Sequence, residues 1–425
     1  MLKKLIKPYV GLRKEIYIIF ISRTINAMGA FVFPFLTLLL TKKIGLTEAE
    51  AGVYIAASGI LVIPSSLIGG KIVDVIGRKK VIIIFETLAI FCYGSCFMLE
   101  PGIPMAYLLI LSGVFFGIAG PAHDAMVADL TTPEQRTGAY SLNYLGFNFG
   151  YAIAQLFAGY LFAHHLKLLF IIDAVTALIG VALIGLFVGE TIQETAKEKK
   201  EEKRVLEKSE KGSVFRVLFS RPILIMFAVA LFGYRFIYSQ WSFMLPLHTA
   251  FNFGEEAGPM LYGTLGAFNA VIVVCLTPLL TALFRKKTNV KRVIYAGILF
   301  FLGFGLLGFI STYEAFFACV FIFTLGEILE ATSIMPFIMN HTPSSHRGRM
   351  SSVLPLIMGF GFTAGPLVMG SVLEATSFAF AWKVSAVIVG ISTIGMLGIN
   401  RFERNSRVID DGMDKALNES ARGSA

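Results

Sequence analysis

Twelve predominantly apolar stretches, each long enough to cross a lipid bilayer as a helix, follow one another between residues 16 and 400. A membrane-spanning helix needs about 20 such residues, and a helix satisfies its backbone hydrogen bonds internally, as the bilayer requires. The composition agrees, because 56% of the residues are hydrophobic and 15% are charged. The sequence therefore predicts an all-α membrane protein with twelve transmembrane helices and argues against a soluble two-domain protein.

One segment of different composition divides the spans six plus six. Residues 190–218 contain the charged run EKKEEKRVLEKSEKGS, which predicts a soluble cytoplasmic linker between the sixth and seventh spans. We therefore expect an N-terminal six-helix lobe over residues 1–189 and a C-terminal six-helix lobe over residues 219–401. The polar tail, residues 402–425, is predicted to be disordered and cytoplasmic.

The two halves resemble each other when one is shifted by 211 residues along the other. The coinciding pairs are Thr131 and Thr342, Arg136 and Arg347, Gly150 and Gly361, and Gly159 and Gly370. Repeats of this kind build transporters from two pseudo-symmetric lobes, with the substrate site between the lobes near the middle of the bilayer.

Basic residues are distributed asymmetrically over the loops. If the N-terminus is cytoplasmic, 31 of the 37 Lys and Arg residues face the cytoplasm, four face outward and two lie within spans. Cytoplasmic loops of membrane proteins are enriched in Lys and Arg in this way. We therefore expect both termini in the cytoplasm, and the net charge of +9 requires no nucleic-acid partner.

The most specific motif lies in a short loop between the second and third spans. The sequence GGKIVDVIGRKK, from Gly69 to Lys80, combines small residues, one acid and a basic cluster. Asp74 is placed to face a helix N-terminus or an arginine, and Arg78 to reach Asp129 at the end of the fourth span. Such a cluster would hold the two lobes together while the site faces outward.

This loop resembles the signature loop of the major facilitator superfamily, G-x-L-x-D-R-x-G-R followed by Lys or Arg, with Val75 where that family usually has Arg. The gating residues that the resemblance implies are Gly70, Asp74, Gly77, Arg78 and Asp129. The resemblance covers the whole chain and implies the major facilitator fold in a bacterial cytoplasmic membrane. It looks closest to the twelve-span drug:proton antiporters, so we expect a monomer that binds a small-molecule substrate among membrane lipids and uses protons as coupling ion.

Two features depart from the antiporter pattern. Antiporters usually carry an arginine in the fourth span before a glycine-rich stretch, where this chain has Ser112 and Gly113. Their signature in the fifth span ends in Gly-Pro, whereas this chain has Gly365-Pro366 in the eleventh span. Helix packing and bending is the favoured role for these glycines.

Ionisable residues inside the spans are candidates for function, because each costs about 2.5 to 3.5 kcal/mol on insertion scales and so tends to face a cavity or a partner. They are Arg23, Glu86, Asp124, Asp173, Arg235, Glu327 and Glu330. Glu86 lies in a span that usually supports its lobe, and Asp173 lies near a helix end, so both are less informative. The isolated histidines form no convergent ligand set, and no metal site is predicted.

Glu327 and Glu330, in TLGEILEAT of the tenth span, are three residues apart and lie at neighbouring positions on one helix face. Two carboxylates this close in a low-dielectric site repel each other when both are ionised, and binding a proton relieves the repulsion. The TLGE stretch also resembles the tenth span of proton-driven multidrug exporters, where an acid at the Glu327 position handles protons and cationic drugs. The alternatives are a structural hydrogen bond between helices or an ion pair with Arg235.

Arg23 and Arg235 occupy pseudo-equivalent spans, the first and the seventh. With Asn26 and Gln240 nearby, they can hold an anion or neutralise the acids of the spans, Asp124 among them. A purely structural buried ion pair is the competing interpretation.

Aromatic residues are dense around the seventh span. Tyr234, Tyr238 and Trp241 follow i, i+4, i+7 spacing, which predicts one wall of an apolar pocket. Helix packing or lipid contact is the alternative.

No P-loop, no dinucleotide-binding glycine motif and no paired nucleophile and base stand out, so the sequence does not support ATP-driven transport or an enzyme. No cofactor is expected, and an ion gradient would supply the energy. The sequence predicts proton-coupled export of small amphiphilic or cationic compounds by alternating access. The alternatives are a proton-coupled importer of an anionic or peptide-like nutrient, a lipid flippase of the same fold, and a non-transporting membrane sensor.

Overall fold

The computed structural model describes residues 9–191, 221–342 and 347–423, and these ranges form helices and no strands. The long helices are α1 Lys14–Met28, α2 Glu48–Ile76, α3 Arg78–Met98, α4 Ile103–Asp129, α5 Pro133–His164, α6 Leu166–Phe187, α7 Pro222–Tyr238, α8 Met244–Leu283, α9 Asn289–Leu306, α10 Tyr313–His341, α11 Arg347–Ala375 and α12 Phe378–Gly423. The predicted all-α architecture is confirmed. Most of the predicted linker, 190–218, lies outside the described residues.

Ten ranges of the described chain are long and apolar enough to cross a membrane. One of them, Pro222–Leu283, holds two spans, because the backbone leaves the helical conformation at Gly254 (φ 82°, ψ 177°). Gly258 packs against the backbone of Thr249 and Ala250, although a straight helix would place residues 250 and 258 about 12 Å apart. The chain therefore reverses direction here, and the positive φ explains why the turn uses glycine.

The first span is broken in the middle, which leaves α1 too short to cross a membrane alone. Helical structure resumes only at Leu36, and the backbone between is irregular. The buried carboxylate of Asp173 in α6 accepts hydrogen bonds from the backbone N–H groups of Phe31 (3.0 Å) and Val32 (3.2 Å). Because buried N–H groups need a partner, Asp173 has a structural task in this lobe.

Replacing Asp173 with alanine is expected to destabilise the fold, since two buried N–H groups lose a charged acceptor. Each of the two hydrogen bonds to a charged group is worth about 1.5–3 kcal/mol, so the free energy of unfolding should fall by about 3–6 kcal/mol. Denaturant unfolding in mixed micelles measures the change. Asp173→Asn keeps one acceptor oxygen and should lose less, and an alanine variant as stable as the native chain would contradict the capping role.

Helices α1–α6 and α7–α12 form two lobes, which meet mainly along two antiparallel helix pairs, α2 with α11 and α5 with α8. Glycines permit close backbone approach there, because Gly52 lies against Pro366 and Gly159 against Pro259. These contacts, which we call the seal, lie where α2 begins and α5 ends. They are therefore on the side of the membrane opposite to the start of α1. We call the side on which α1 starts the termini side.

The lobes separate toward the termini side. Tyr144 of α5 is 55% exposed, although it is close enough to Glu327 of the other lobe to interact with its charge. The side chain of Asp124 in α4 is 65% exposed. The structure thus shows a state that the seal closes on one side and that is accessible from the termini side.

The chain beyond residue 402, predicted to be disordered, instead continues α12 as helix to Gly423. Residues 402–423 contain no proline and many strong helix formers. Helix propensity therefore extends the last span beyond its apolar part.

Candidate functional site

The two acids of α10 have different partners. Glu330 is buried and forms an ion pair with Arg235 of α7, with 3.4 Å between Oε1 and Nη2. Glu327 is half-buried and accepts a hydrogen bond of 2.9 Å from the side-chain amide of Asn269 in α8. The same amide donates to Thr324 Oγ1, also at 2.9 Å. The ion pair with Arg235 is thus made by Glu330, and Glu327 makes the hydrogen bond between helices.

A second ion pair joins the equivalent helices of the N-terminal lobe. Arg23 of α1 lies 3.8 Å from Asp124 of α4, between Nη1 and Oδ1. Arg23 and Arg235 are 212 residues apart, close to the shift of 211 that relates the halves. The first and fourth helices of each lobe therefore carry an arginine–carboxylate pair, as pseudo-symmetric repeats with a site between them predict.

The N-terminal lobe also contains a cavity of about 290 Å³, whose lining includes the polar side chains of Arg23, Asn26, Glu86 and His123. Here the structure joins two residues that sequence analysis left apart. His123 Nε2 lies 2.6 Å from Glu86 Oε1, and both side chains are buried. Including histidine among the ionisable residues of the spans would have marked His123 as a candidate.

A second cavity, of about 450 Å³, lies between the lobes, within the usual range for small-molecule pockets. Among the described residues that line it, Arg235 alone is charged. The others are Phe33, Leu36, Ile55, Ser58, Gly59, Val62, Ile63, Met358, Gly359, Phe362 and Thr363. We call it the interlobe pocket, and its chemistry suits an apolar or amphiphilic ligand.

The predicted aromatic wall is only partly present. Tyr234 is fully buried inside the C-terminal lobe, where its hydroxyl donates to the carbonyl of Val293 at 3.0 Å. Tyr238 faces Glu327, while Trp241 packs among other aromatic rings. The i, i+4, i+7 spacing fails because α7 ends at Tyr238 and a 3₁₀ turn follows.

The two amides predicted near the arginines are in different environments. Asn26 lines the cavity of the N-terminal lobe. Gln240 is fully buried, and its amide nitrogen donates to the carbonyl of Phe236 at 3.0 Å. Gly365 of α11 packs against it, so Gln240 belongs to a helix contact and not to a cavity wall.

The motif loop forms the predicted charge cluster. Arg78 Nε donates to Asp129 Oδ2 at 2.9 Å, and Nη1 lies 3.5 Å from Asp74. The backbone N–H of Arg78 donates to the carboxylate of Glu190 at 2.8 Å, a partner that sequence analysis did not identify. All four residues belong to the N-terminal lobe, so in this state the cluster joins helix ends within one lobe.

The glycines of the motif have separate roles. Gly77 has φ of 105°, a conformation that favours glycine, and forms the turn between α2 and α3. Gly69 makes the close helix contact, against Ile118. At Gly70, a Cβ atom would have no neighbouring atom within 4 Å. Gly70 and the exposed Asp74 thus lie on a face of α2 that is open while the lobes are apart.

Substituting Gly159 in the seal is expected to open that side. A Cβ at position 159 would stand 2.4 Å from the carbonyl oxygen of Pro259, so alanine forces α5 and α8 apart. Spin-label distances across the seal should increase. Gly94→Ala is the matched control, because nothing lies within 4 Å of its Cβ position, and unchanged distances in Gly159→Ala would contradict the role of this contact.

Two pseudo-symmetric helical lobes, an apolar pocket between them and charged pairs inside the spans define a multi-pass membrane transporter. The chain belongs to the Major Facilitator Superfamily, whose sequence profile matches residues 19–354. The family consists of transporters, and the protein is not an enzyme.

Relatives match this chain in sequence along most of their length. A Na(+), Li(+), K(+)/H(+) antiporter of Planococcus maritimus is 23% identical over 400 residues, which is 84% of this chain and 92% of the relative. Multidrug resistance protein 2 of Bacillus subtilis is 24% identical over 401 residues, which is 91% of this chain and 97% of the relative. The 3-(3-hydroxy-phenyl)propionate transporter of Escherichia coli is 26% identical over 383 residues, 87% of this chain and 89% of that one.

Solved structures confirm the fold. The peptide transporter POT in complex with sulfate superposes with a TM-score of 0.71 at 17% identity, covering 92% of this chain and 96% of that one. The nucleoside transporter NupG superposes with a TM-score of 0.73 at 13% identity, covering 91% of this chain and 99% of that one.

Proposed function

We propose that this transporter is a proton-coupled antiporter that exports small amphiphilic or cationic compounds by alternating access. The observation that carries the proposal is the environment of Glu327. Three other acids of the described spans, Glu86, Asp124 and Glu330, face a basic side chain, and Asp173 caps backbone N–H groups. Glu327 accepts a hydrogen bond from the neutral amide of Asn269 instead, and Arg235, which pairs with Glu330, acts on it from beyond ion-pair distance.

A half-buried carboxylate that forms no ion pair in the described chain can be neutralised by a proton or by a bound cation, but not by both at once. This competition is the requirement for exchange. With the termini side open, ionised Glu327 attracts a cationic compound whose apolar part enters the interlobe pocket. When the seal opens, a proton binds Glu327 from the other side and releases the compound, and the protonated carrier returns.

The interlobe pocket supports an amphiphilic substrate. Its lining is mostly apolar, and the charge of Arg235 is balanced by Glu330, so a cation bound nearby is not strongly repelled. Relatives named as a multidrug resistance protein and as a cation/proton antiporter agree with this substrate class and with exchange.

The asymmetry of basic residues supports an orientation with both termini in the cytoplasm. We place the protein in the cytoplasmic membrane of a bacterium as a monomer, so the termini side is cytoplasmic and the structure faces inward. Protons are the coupling ion.

Uptake of an organic anion with protons is the second candidate. The two arginines of the ion pairs, Arg23 and Arg235, favour it, as does the relative named as a 3-(3-hydroxy-phenyl)propionate transporter. On this alternative an anion would bind the arginines, and uptake into vesicles would need an outside-acid gradient instead of an inside-acid one.

Flux in proteoliposomes under an imposed pH gradient distinguishes the two. Export by exchange predicts that an inside-acid gradient drives uptake of ethidium, a lipophilic cation, and that collapse of the gradient with nigericin stops it. Sodium ion is tested in parallel as an inorganic cation. If neither cation moves in either gradient direction, the antiporter proposal is overturned, and uptake of a hydroxyphenylpropionate under an outside-acid gradient would establish the alternative.

A further inference from the structure

The Glu86–His123 pair is a buried polar group that the mechanism above does not use. Its 2.6 Å separation is that of a strong charge-assisted hydrogen bond. The other ring nitrogen, His123 Nδ1, is buried and has no hydrogen-bond partner in the described chain. A histidine that served only to join two helices would be expected to satisfy both nitrogens.

The fold itself does not require this pair. At the shift of 211 residues that relates the lobes, Glu86 corresponds to Gly297 and His123 to Ile334. The C-terminal lobe therefore has a glycine and an apolar residue at these two positions, and Gly297 packs against Tyr234 and Thr393. Because burying a charged pair is costly compared with apolar packing, the pair in the N-terminal lobe indicates a function beyond packing.

The pair lies next to the cavity of the N-terminal lobe, and the charged groups around it already have ion-pair or hydrogen-bond partners. The charged and titratable residues around it are Arg23 of α1, Tyr93 of α3, Asp124 of α4 and Asp173 of α6. Arg23 pairs with Asp124, and Asp173 accepts two backbone N–H groups. The charged residues that α2 carries lie near its ends, at positions 48, 50, 71 and 74. With neutral His123 and ionised Glu86, the pair therefore carries a net charge of −1 without a counter-ion.

We propose that Glu86 and His123 form a second proton-binding site, which is loaded and emptied during the transport cycle. Nε2–H of neutral His123 donates to ionised Glu86, and a proton that originates in the solvent adds to the lone pair of Nδ1. The product is an imidazolium next to a carboxylate, so the net charge changes from −1 to zero, and release reverses the step. The site takes only a proton and is distinct from Glu327 in the other lobe. Its role in the cycle rests on the proposed antiport, but proton binding itself does not.

The test counts protons directly. The purified full chain in nanodiscs is titrated between about pH 8 and pH 5, the range in which histidine changes charge, and compared with Glu86→Gln/His123→Gln. Two amides can still hydrogen-bond each other, so this variant keeps the helix contact, which thermal unfolding checks. We expect one proton fewer per chain. His248→Gln is the matched control, since that buried histidine has partners on both ring nitrogens, Trp382 and Asn252, and should leave the count unchanged.

Proteoliposome flux then tests the role in the cycle. Each exchanged proton supports about tenfold accumulation per unit of pH gradient, so the double variant should accumulate ethidium about tenfold less than the native chain. An unchanged proton count overturns the site. A lower count with unchanged accumulation overturns its role in transport. Failure of the antiport proposal gives a different result from either of these outcomes, because the native chain itself would then show no gradient-driven flux.

Discussion

Replacing Glu327 with glutamine is expected to lower proton-driven accumulation of a lipophilic cation by at least about tenfold per unit of pH gradient, while the chain stays folded. Glutamine has nearly the same shape and can still accept the hydrogen bond from Asn269, but its amide neither binds nor releases a proton. Accumulation driven by one pH unit should fall by about tenfold for each proton that is no longer exchanged. Ethidium uptake into proteoliposomes under an inside-acid gradient measures it.

Two variants control this experiment. Glu314→Gln makes the same chemical change in the first turn of the same helix, where the side chain is exposed, and should transport like the native chain. Glu327→Asp keeps a carboxylate and should retain part of the coupling. A glutamine variant that accumulates ethidium to the native level would show that Glu327 is not the coupling residue.

The number and order of the spans follow from the sequence, because the length of each apolar stretch is a local property. The reversal at Gly254 is also local, since a positive φ favours glycine. The break in the first span is different. It depends on Asp173, about 140 residues away along the chain, which satisfies the N–H groups of Phe31 and Val32. No local pattern shows that contact.

Side-chain partners across helices are also beyond local spacing. Glu327 and Glu330 are three residues apart, which separates them by about 60° around the helix. That angle is enough to turn one toward Asn269 and the other toward Arg235. Which acid meets the arginine depends on how α10 is rotated against α7 and α8, and packing of the whole lobe fixes that rotation.

Replacing Arg235 with glutamine is expected to destabilise the protein strongly, because it leaves the carboxylate of Glu330 buried without its cation. The Glu330 side chain is 2% exposed and that of Arg235 is 29% exposed. Breaking a buried pair in this way costs about 3–5 kcal/mol, and we expect about 3 kcal/mol here because Arg235 is partly solvated. The double variant Arg235→Gln/Glu330→Gln removes both charges and should recover most of the loss. Denaturant unfolding of the native chain, the single variants Arg235→Gln and Glu330→Gln, and the double variant gives the coupling energy.

The pseudo-symmetric pair of Arg23 and Asp124 is the matched control. It joins the equivalent helices of the other lobe, but Asp124 is 65% exposed, so water solvates its carboxylate when the arginine is removed. Its coupling energy should stay below about 1 kcal/mol. Because the two pairs join equivalent helices of the repeats, the difference between their coupling energies mainly reports the different solvation of the two carboxylates. Equal coupling energies would contradict the difference in solvent exposure between Asp124 and Glu330. They would also contradict the burial of Glu330 beside the interlobe pocket.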